Sequence, residues 1–301
     1  MTLSPQDLTK AFERGATKIL ALAISVEFLP NSFGHIGTSK FPLTGLDLPV
    51  FKIDERPVIP STSLKGAWRS RFERLLDENL DQLAGSFNTD PNHLKPCIPT
   101  TAPSVAERGK FGNRRWLTGC QIELGEEKVK LNPKHRDGSR EFICPVCYFF
   151  GANGLQGFLR LSHLSPPVSQ AVLYKQTITS RDRAVDGVRS GALASGEFVK
   201  GGTRFEGVAE LLLHDGTFTF GDPRRLNSQG QDHEGKPAIV FDRWLENFAR
   251  DERDSVQRQL VLINKLLIPA FEKIDVLGGH RSKGGGRVKV SIQLAPDTGR
   301  R

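Results

Sequence analysis

Cys97, Cys120, Cys144 and Cys147 are the only thiols in the chain, and the last two form CPVC. Twenty-two residues lie between Cys97 and Cys120, twenty-three between Cys120 and Cys144, and two between Cys144 and Cys147. A CxxC knuckle with two further thiolates suits a tetrahedral structural zinc, with His93 or His135 as substitute ligands. Four unrelated buried thiols are the competing reading. With no export signal to read, clustered cysteines point to metal or redox chemistry before disulfides. CPVC does not follow a βαβ pattern, which sets thioredoxin-like redox work aside.

Two basic sites stand far apart in the sequence. In IPSTSLKG a helix begins after Pro60, and Ser61, Thr62 or Ser63 can cap its first amides. Free amides, the hydroxyls of Ser61 and Ser63, and Lys65 on the first turn suit a phosphate, with Arg69 one turn further on the same face. A capped surface helix with solvated charges has the same local pattern. In LGGHRSKGGGR, Gly278, Gly279, Gly284, Gly285 and Gly286 surround Arg281, Lys283 and Arg287. Glycines allow close backbone approach and the cations supply counter-charge, but the GK[ST] ending of a Walker loop is missing. Ahead of the helix, GLDLPVFKID carries Asp47 and Asp54, either of which can orient a 2′-hydroxyl or hold a divalent cation, or close an Asx-turn. Nucleophile-elbow, HExxH and Rossmann patterns are absent, so the common hydrolase and dehydrogenase readings lose support.

The elements that must position these residues follow from periodicity. Leu20, Leu22, Ile24, Val26 and Phe28 alternate as a strand does, and no apolar run reaches transmembrane length. We read a first β-strand of a cytoplasmic protein. Leu64, Ala67, Trp68, Phe72, Leu75, Leu76 and Leu80 recur at helical steps. LQGFLRLSHL and RFEGVAELLLHDGTFTF read as strands, and GDPRRLNSQGQDHEGKP as a linker or exposed loop. Val256, Leu260, Ile263 and Leu267 predict a helix ending near Pro269, and VKVSIQL a closing strand. Stripped of insertions the order is strand, helix, strand, strand, helix, strand. That order predicts an α+β, ferredoxin-like (RRM-like) fold, one that RNA-recognition modules commonly use. Residues 1–84, 151–165 and 203–301 then build the core, 85–150 form a cysteine-rich zinc insertion and 166–202 a second insertion. The chain is long enough, at 301 residues, to bury a core unaided. A net charge of +8 favours a polyanionic partner. Thirty Gly, 18 Pro and 19 Phe beside one Met announce a loop-rich chain.

Taken in order, HIG at His35, GLDLPV, IPSTSLKGAWRSRF, CPVCYFFG, SRDRAVDGV, FVKGGTRFEGVAEL and LGGHRSKGGGRVKV resemble the RAMP superfamily, in particular the backbone subunits of type III CRISPR effector complexes. The resemblance runs from the first strand to the last. It implies an RRM-like palm with a thumb hairpin inserted before the third core strand, in subunits that stack along a CRISPR guide RNA. The guide would be held by His35, Ser61, Ser63, Lys65, Arg69, Arg281, Lys283, Gly284, Gly285 and Arg287, and Arg181, Arg183 and Arg189 would contact RNA from the thumb.

In the family a loop aspartate cuts complementary target RNA opposite each subunit, and GLDLPV places Asp47 there, with Mg2+ or Mn2+ as the implied catalytic cation. The lead-in LTGL and the PSTS before LKG depart from the Ile-Gly and PGSS of many members. The large cysteine insertion is similar to the zinc-bearing subfamilies of types III-D and III-E. The resemblance thus implies an endoribonuclease of antiviral defence, with other effector subunits as partners and no membrane. A non-catalytic RNA scaffold and a guide-processing ribonuclease using His35 as acid–base are the alternative readings.

Overall fold

The computed structural model describes residues 1–37, 47–97, 119–124, 129–131, 141–167, 172–182, 187–225, 239–248 and 254–296. Helix α1 (Pro5–Leu8) precedes strands β1 (Phe12–Arg14) and β2 (Thr17–Phe28), then the short hairpin β3 (Lys52–Ile53) and β4 (Arg56–Pro57). Helices α2 (Ser61–Glu78), α3 (Leu80–Phe87) and α4 (Pro91–Leu94) follow, then β5 (Ile122–Leu124), β6 (Val129–Leu131), α5 (Pro145–Phe150) and β7 (Leu159–Leu161). Strands β8 (Leu173–Asp182), β9 (Gly187–Val199) and β10 (Arg204–His214) lead to α6 (Ser255–Leu262), α7 (Ile268–Glu272) and β11 (Val288–Leu294). The protein is mixed α+β with antiparallel pairing.

One five-stranded sheet runs β1–β2–β10–β7, and β11 also pairs with β2, antiparallel from Val288 opposite Phe28 to Leu294 opposite Leu22. Along the core strands the order is therefore β11–β2–β10–β7. The amide of Leu212 reaches the Phe158 carbonyl and that of Ser162 the Val208 carbonyl, the opposed numbering of an antiparallel pair. β5 pairs with β6, and β8 with β9, in two-stranded ladders outside this sheet.

The chain divides into two compact units. The first comprises Met1–Ala21, Arg69–Arg160 and Glu210–Pro269. Its core is aromatic: Phe72 packs on Phe149 and Phe150, Tyr148 on Phe158 and Trp244, and Phe87 on Trp244 and Phe248. Buried aromatic rings contribute large apolar area and favour tilted and edge contacts, which gives the abundance of Phe a structural cause. The second unit comprises Leu22–Trp68, Leu161–Ala209 and Ala270–Arg301. There Trp68 packs at 4.5 Å on Phe271, and Phe28 meets Phe205 edge-on. Among the described residues no helix is long and apolar enough to cross a membrane.

The sequence reading holds for the first strand, where Leu20, Leu22, Ile24, Val26 and Phe28 are all buried. The long amphipathic helix begins at Ser61, but its N-cap is Pro60, whose carbonyl accepts from the amides of Ser63 and Leu64. The hydroxyl residues thus lie inside the first turn. The last helix passes Pro269 by three residues, to Glu272. Residues Ile263–Leu267 widen to a π-helix before the chain continues helically. Proline lacks an N–H and crowds the carbonyl four residues back, and a π-turn relieves both without ending the helix. Its buried face also differs, since Val256 is exposed while Gln259 is buried and donates to the Phe220 carbonyl. The segment read as a linker carries buried Arg224, whose guanidinium grips Asp242 at 2.7 and 2.8 Å.

Candidate metal centre and nucleic-acid interface

In the first unit the chain gathers its cysteines. The Sγ atoms of Cys97, Cys120, Cys144 and Cys147 all lie within 4.8 Å of one another, and all four residues are buried. Cys144 occupies the N-cap of α5 and Cys147 its first turn, so the CxxC spacing turns both sulfurs to one side of a short helix. Cys120 arrives just ahead of β5 and accepts from the Cys144 amide at 3.4 Å. The thiols are free, and the Cys97 and Cys147 sulfurs approach to 3.3 Å. Hydrogen bonds from Cys120, Cys144 and Cys147 hold Cys97 below the ordinary thiol range. The same sharing pushes Cys120 and Cys147 well above it, and burial raises Cys144. Four thiolates cannot coexist in so small a buried space without a cation between them, whereas four sulfurs at these separations suit tetrahedral thiolate coordination. These residues can hold a structural metal such as zinc. His93 is not in this group: its Nδ1 lies 3.3 Å from Thr89 Oγ1 and its ring packs on Phe142. His135 lies outside the described residues.

Arg69 belongs to this centre. Although one helical turn beyond Lys65, its Nη2 donates to Cys147 Sγ at 3.4 Å and Cys97 Sγ at 3.5 Å, and its Nε to Glu73 Oε1 at 3.0 Å. Burial works against its charge, but the two sulfurs and Glu73 more than offset this and raise its pKa.

The second unit holds the remaining sites. Asp47 is half-buried, and its carboxylate Oδ2 accepts from the Ser195 amide at 3.0 Å. The amides of Asp47 and Leu48 both donate to the Ser195 carbonyl, so this strap is laid along β9. Two residues on, Glu197 is buried, accepting from Lys52 Nζ at 2.9 Å and from the Val50 amide at 3.4 Å. The strap from Asp47 to Lys52 is thereby tied to the foot of the β8–β9 hairpin. Asp54 instead sits at the tip of the β3–β4 turn with a positive φ of 48°. In β8, Arg181 pairs by backbone with Val188, and Arg189 follows on β9. Arg183 lies outside the described residues.

His35 is buried, its ring 5.0 Å from that of His280 and 5.5 Å from Phe198. Burial first, and then the charge of His280, lower its pKa, which suits a neutral loop support. The basic glycine loop folds back on this segment: the Gly279 amide donates to the His35 carbonyl, and that of Gly286 to the Phe33 carbonyl. A Cβ on Gly278 would meet the His35 carbonyl at 2.5 Å at a positive φ of 88°, so this glycine serves the protein's own packing. Gly285 likewise faces the Phe33 ring, leaving Gly284, with open space around it, as the glycine of this loop suited to outside approach. Arg281, Lys283 and Arg287 are exposed, and Ser32 Oγ braces the turn by donating to the Gly284 carbonyl and accepting from the Arg287 amide.

At the start of α2 the Ser61 amide donates to His163 Nδ1 at 3.0 Å, while Ser63 and Lys65 are half-buried on the first turn. The roles of His163 and Glu197 have no periodic or motif signal in the sequence. Each is tied to residues more than a hundred positions away.

No curated protein matches the sequence. Among solved structures, a chain of a type IV-B CRISPR complex aligns at 14% identity and a TM-score of 0.44, covering 94% of this chain and 92% of that one. A chain of the type III-B Cmr-beta complex bound to cognate target RNA aligns at 10% identity and a TM-score of 0.39, covering 91% and 60%. The family model of the RAMP superfamily matches residues 34–289. That span encloses Asp47, the four cysteines, the start of α2, the β8–β9 hairpin and the basic glycine loop: the chain belongs to the RAMP superfamily.

Proposed function

We propose that this chain is a guide-RNA-binding backbone subunit of a type III CRISPR effector that cuts complementary target RNA through Asp47. Membership of the RAMP superfamily and the net charge of +8 support the class. The order β11–β2–β10–β7, with α2 between the first two core strands in sequence and α6–α7 before the last, supports a ferredoxin-like palm over 1–84, 151–165 and 203–301. The β8–β9 hairpin corresponds to a thumb over 166–202, and the cysteine centre to a zinc insertion over 85–150. Ser61, Ser63, Lys65, Arg281, Lys283, Gly284 and Arg287 contact guide RNA, and Arg181, Arg183 and Arg189 contact it from the thumb, while Gly285 serves the packing of the loop. His35 acts by supporting the loop. Partners are guide RNA, target RNA and other effector subunits in the cytoplasm.

The observation that carries the reading is the anchoring of Asp47 to the Ser195 amide at the foot of the hairpin. Transfer at a phosphodiester needs the 2′-oxygen, phosphorus and leaving oxygen nearly in line, which is largely a matter of positioning and charge. A hairpin that splays a nucleotide from the guide–target duplex exposes such a linkage. A carboxylate fixed at its foot can orient the 2′-oxygen or hold Mg2+ or Mn2+ beside the phosphate.

The same hydrogen bond favours a second reading, in which Asp47 is a clasp between strap and hairpin and the subunit is a scaffold. Cleavage of guide-complementary RNA by the assembled complex, with Mg2+ or Mn2+, separates the two. Asp47→Ala should lower cutting by about 100-fold or more while guide retention holds. Asp47→Asn keeps an oxygen for the Ser195 amide, so it should retain the clasp and still lose cutting. Asp54→Asn, which tolerates the positive φ at that turn, should cut normally. Undiminished cutting by Asp47→Ala would leave the scaffold reading.

A further inference from the structure

The guanidinium of Arg69 is turned inward, with a side chain only 19% exposed, toward a group that in neutral form could not hold it. Neutral thiols are weak acceptors, and a cation taken from water needs compensating charge. Glu73 supplies part of that charge through Nε. Nη2 is aimed elsewhere, at two sulfurs that are themselves adjacent. A divalent ion bound by four thiolates carries about two net negative charges, and such a cluster is the acceptor that this geometry calls for.

We propose that Arg69 is an outer positioning residue of the cysteine metal centre, its Nη2 bridging the Cys97 and Cys147 thiolates and draining their charge, with Glu73 holding the guanidinium in place. This rests on the zinc reading of the four cysteines. Hydrogen bonds from a cation reduce the electron density that each sulfur presents to protons and other electrophiles, whose attack on a thiolate is what opens the site to a chelator. They leave the coordination shell, Cys97, Cys120, Cys144 and Cys147, unchanged. The helical spacing of Arg69 and Glu73, four residues apart on α2, lets one rigid element present donor and brace together. The side chain best placed on sequence grounds to meet a phosphate beside Lys65 is thus committed to the metal centre.

The test uses the full chain. Metal content of the freshly purified wild type, by elemental analysis, is measured first, and about one zinc per chain is expected. Zinc release to a colorimetric chelator is then followed for wild type, Arg69→Met, Arg69→Lys and Glu73→Gln. In parallel, the thiolate-to-metal charge-transfer band of the Co2+-substituted proteins is recorded. Arg69→Met should release zinc about 10-fold faster or more. Its band should move to lower energy, because sulfurs without the donor give up charge more easily, and a purely structural role would not move it. Glu73→Gln leaves the sulfur contacts in place and should keep the band at or slightly above the wild-type energy. Arg69→Lys offers one point donor for two sulfurs and should fall between. A loaded Arg69→Met with wild-type release and an unmoved band overturns the role of Arg69 while zinc stands. Wild type that carries no metal overturns the zinc reading and this role with it. If Arg69→Met does not fold, Arg69→Lys decides, and wild-type behaviour there overturns the proposal.

Discussion

Arg224 and Asp242 form a fully buried pair within the first unit. Besides its two guanidinium contacts, Asp242 accepts from the Arg224 amide at 3.0 Å. Arg224 Nη1 donates to the Gln156 carbonyl at 3.2 Å, and the guanidinium lies 4.8 Å above the Tyr148 ring. Each nitrogen of the cation therefore has a partner, which is what makes its burial tolerable. Removing one member leaves the other charge stranded. Arg224→Met should cost about 3–5 kcal/mol of stability in denaturant unfolding. The double change with Asp242→Leu should recover most of that loss, since an apolar pair strands nothing. Equal losses in single and double variants would mean that packing, not charge, dominates. The residue lies in a segment whose composition, rich in Gly, Pro and Asp, reads as a loop. Composition reports a lack of periodic structure but not burial, so the sequence hides Arg224 while the CxxC spacing exposes the cysteines.

At the scale of elements, the period-2 and period-3.6 patterns locate β2 and α2, because each buries one face over many residues. They also find the last helix, where Ile263 and Leu267 are buried, but miss its end and part of its face. A π-turn shifts the face by part of a turn, and no residue type announces it except Pro269. The glycines divide similarly. Gly278 and Gly285 are explained by the approach of the chain to itself, but a side chain at Gly66 in α2 would meet nothing within 4 Å, and its φ is not positive. A helix interior ordinarily excludes glycine, by roughly 0.5–1 kcal/mol relative to alanine. Gly85 in α3 shares that open surrounding and serves as the comparison. Gly66→Ala and Gly85→Ala should each stabilise the protein by about 0.5–1 kcal/mol in thermal or denaturant unfolding. If RNA backbone passes over the first turns of α2, only Gly66→Ala should also weaken RNA retention. Equal retention by both variants would place the RNA elsewhere on the protein.

For the whole molecule, the positive charge is a property that the sequence states outright and the fold distributes. Lys65 sits on the first turn of α2, while Arg281, Lys283 and Arg287 belong to the glycine loop some two hundred residues later. Arg281 Nε donates to the Gly278 carbonyl at 3.2 Å, which stiffens the loop without neutralising the guanidinium. On the proposed reading these cations meet phosphates, which carry no sequence information, so binding should be nearly indifferent to base identity. Its free energy should come largely from release of counterions. For single-stranded RNA the logarithm of affinity then falls with the logarithm of salt by about 0.7 for each phosphate neutralised. Lys65→Ala and Arg287→Ala should each lower that slope by about 0.7 and weaken all RNA sequences alike, as measured by filter retention over a salt series. A change in base preference with the slope untouched would instead assign these side chains to base edges. Asp47→Ala provides the opposite sign, because removing a carboxylate from beside an anionic ligand relieves repulsion. Retention should hold or rise slightly for that variant, and the salt slope should stay as in the wild type, since no phosphate contact is lost.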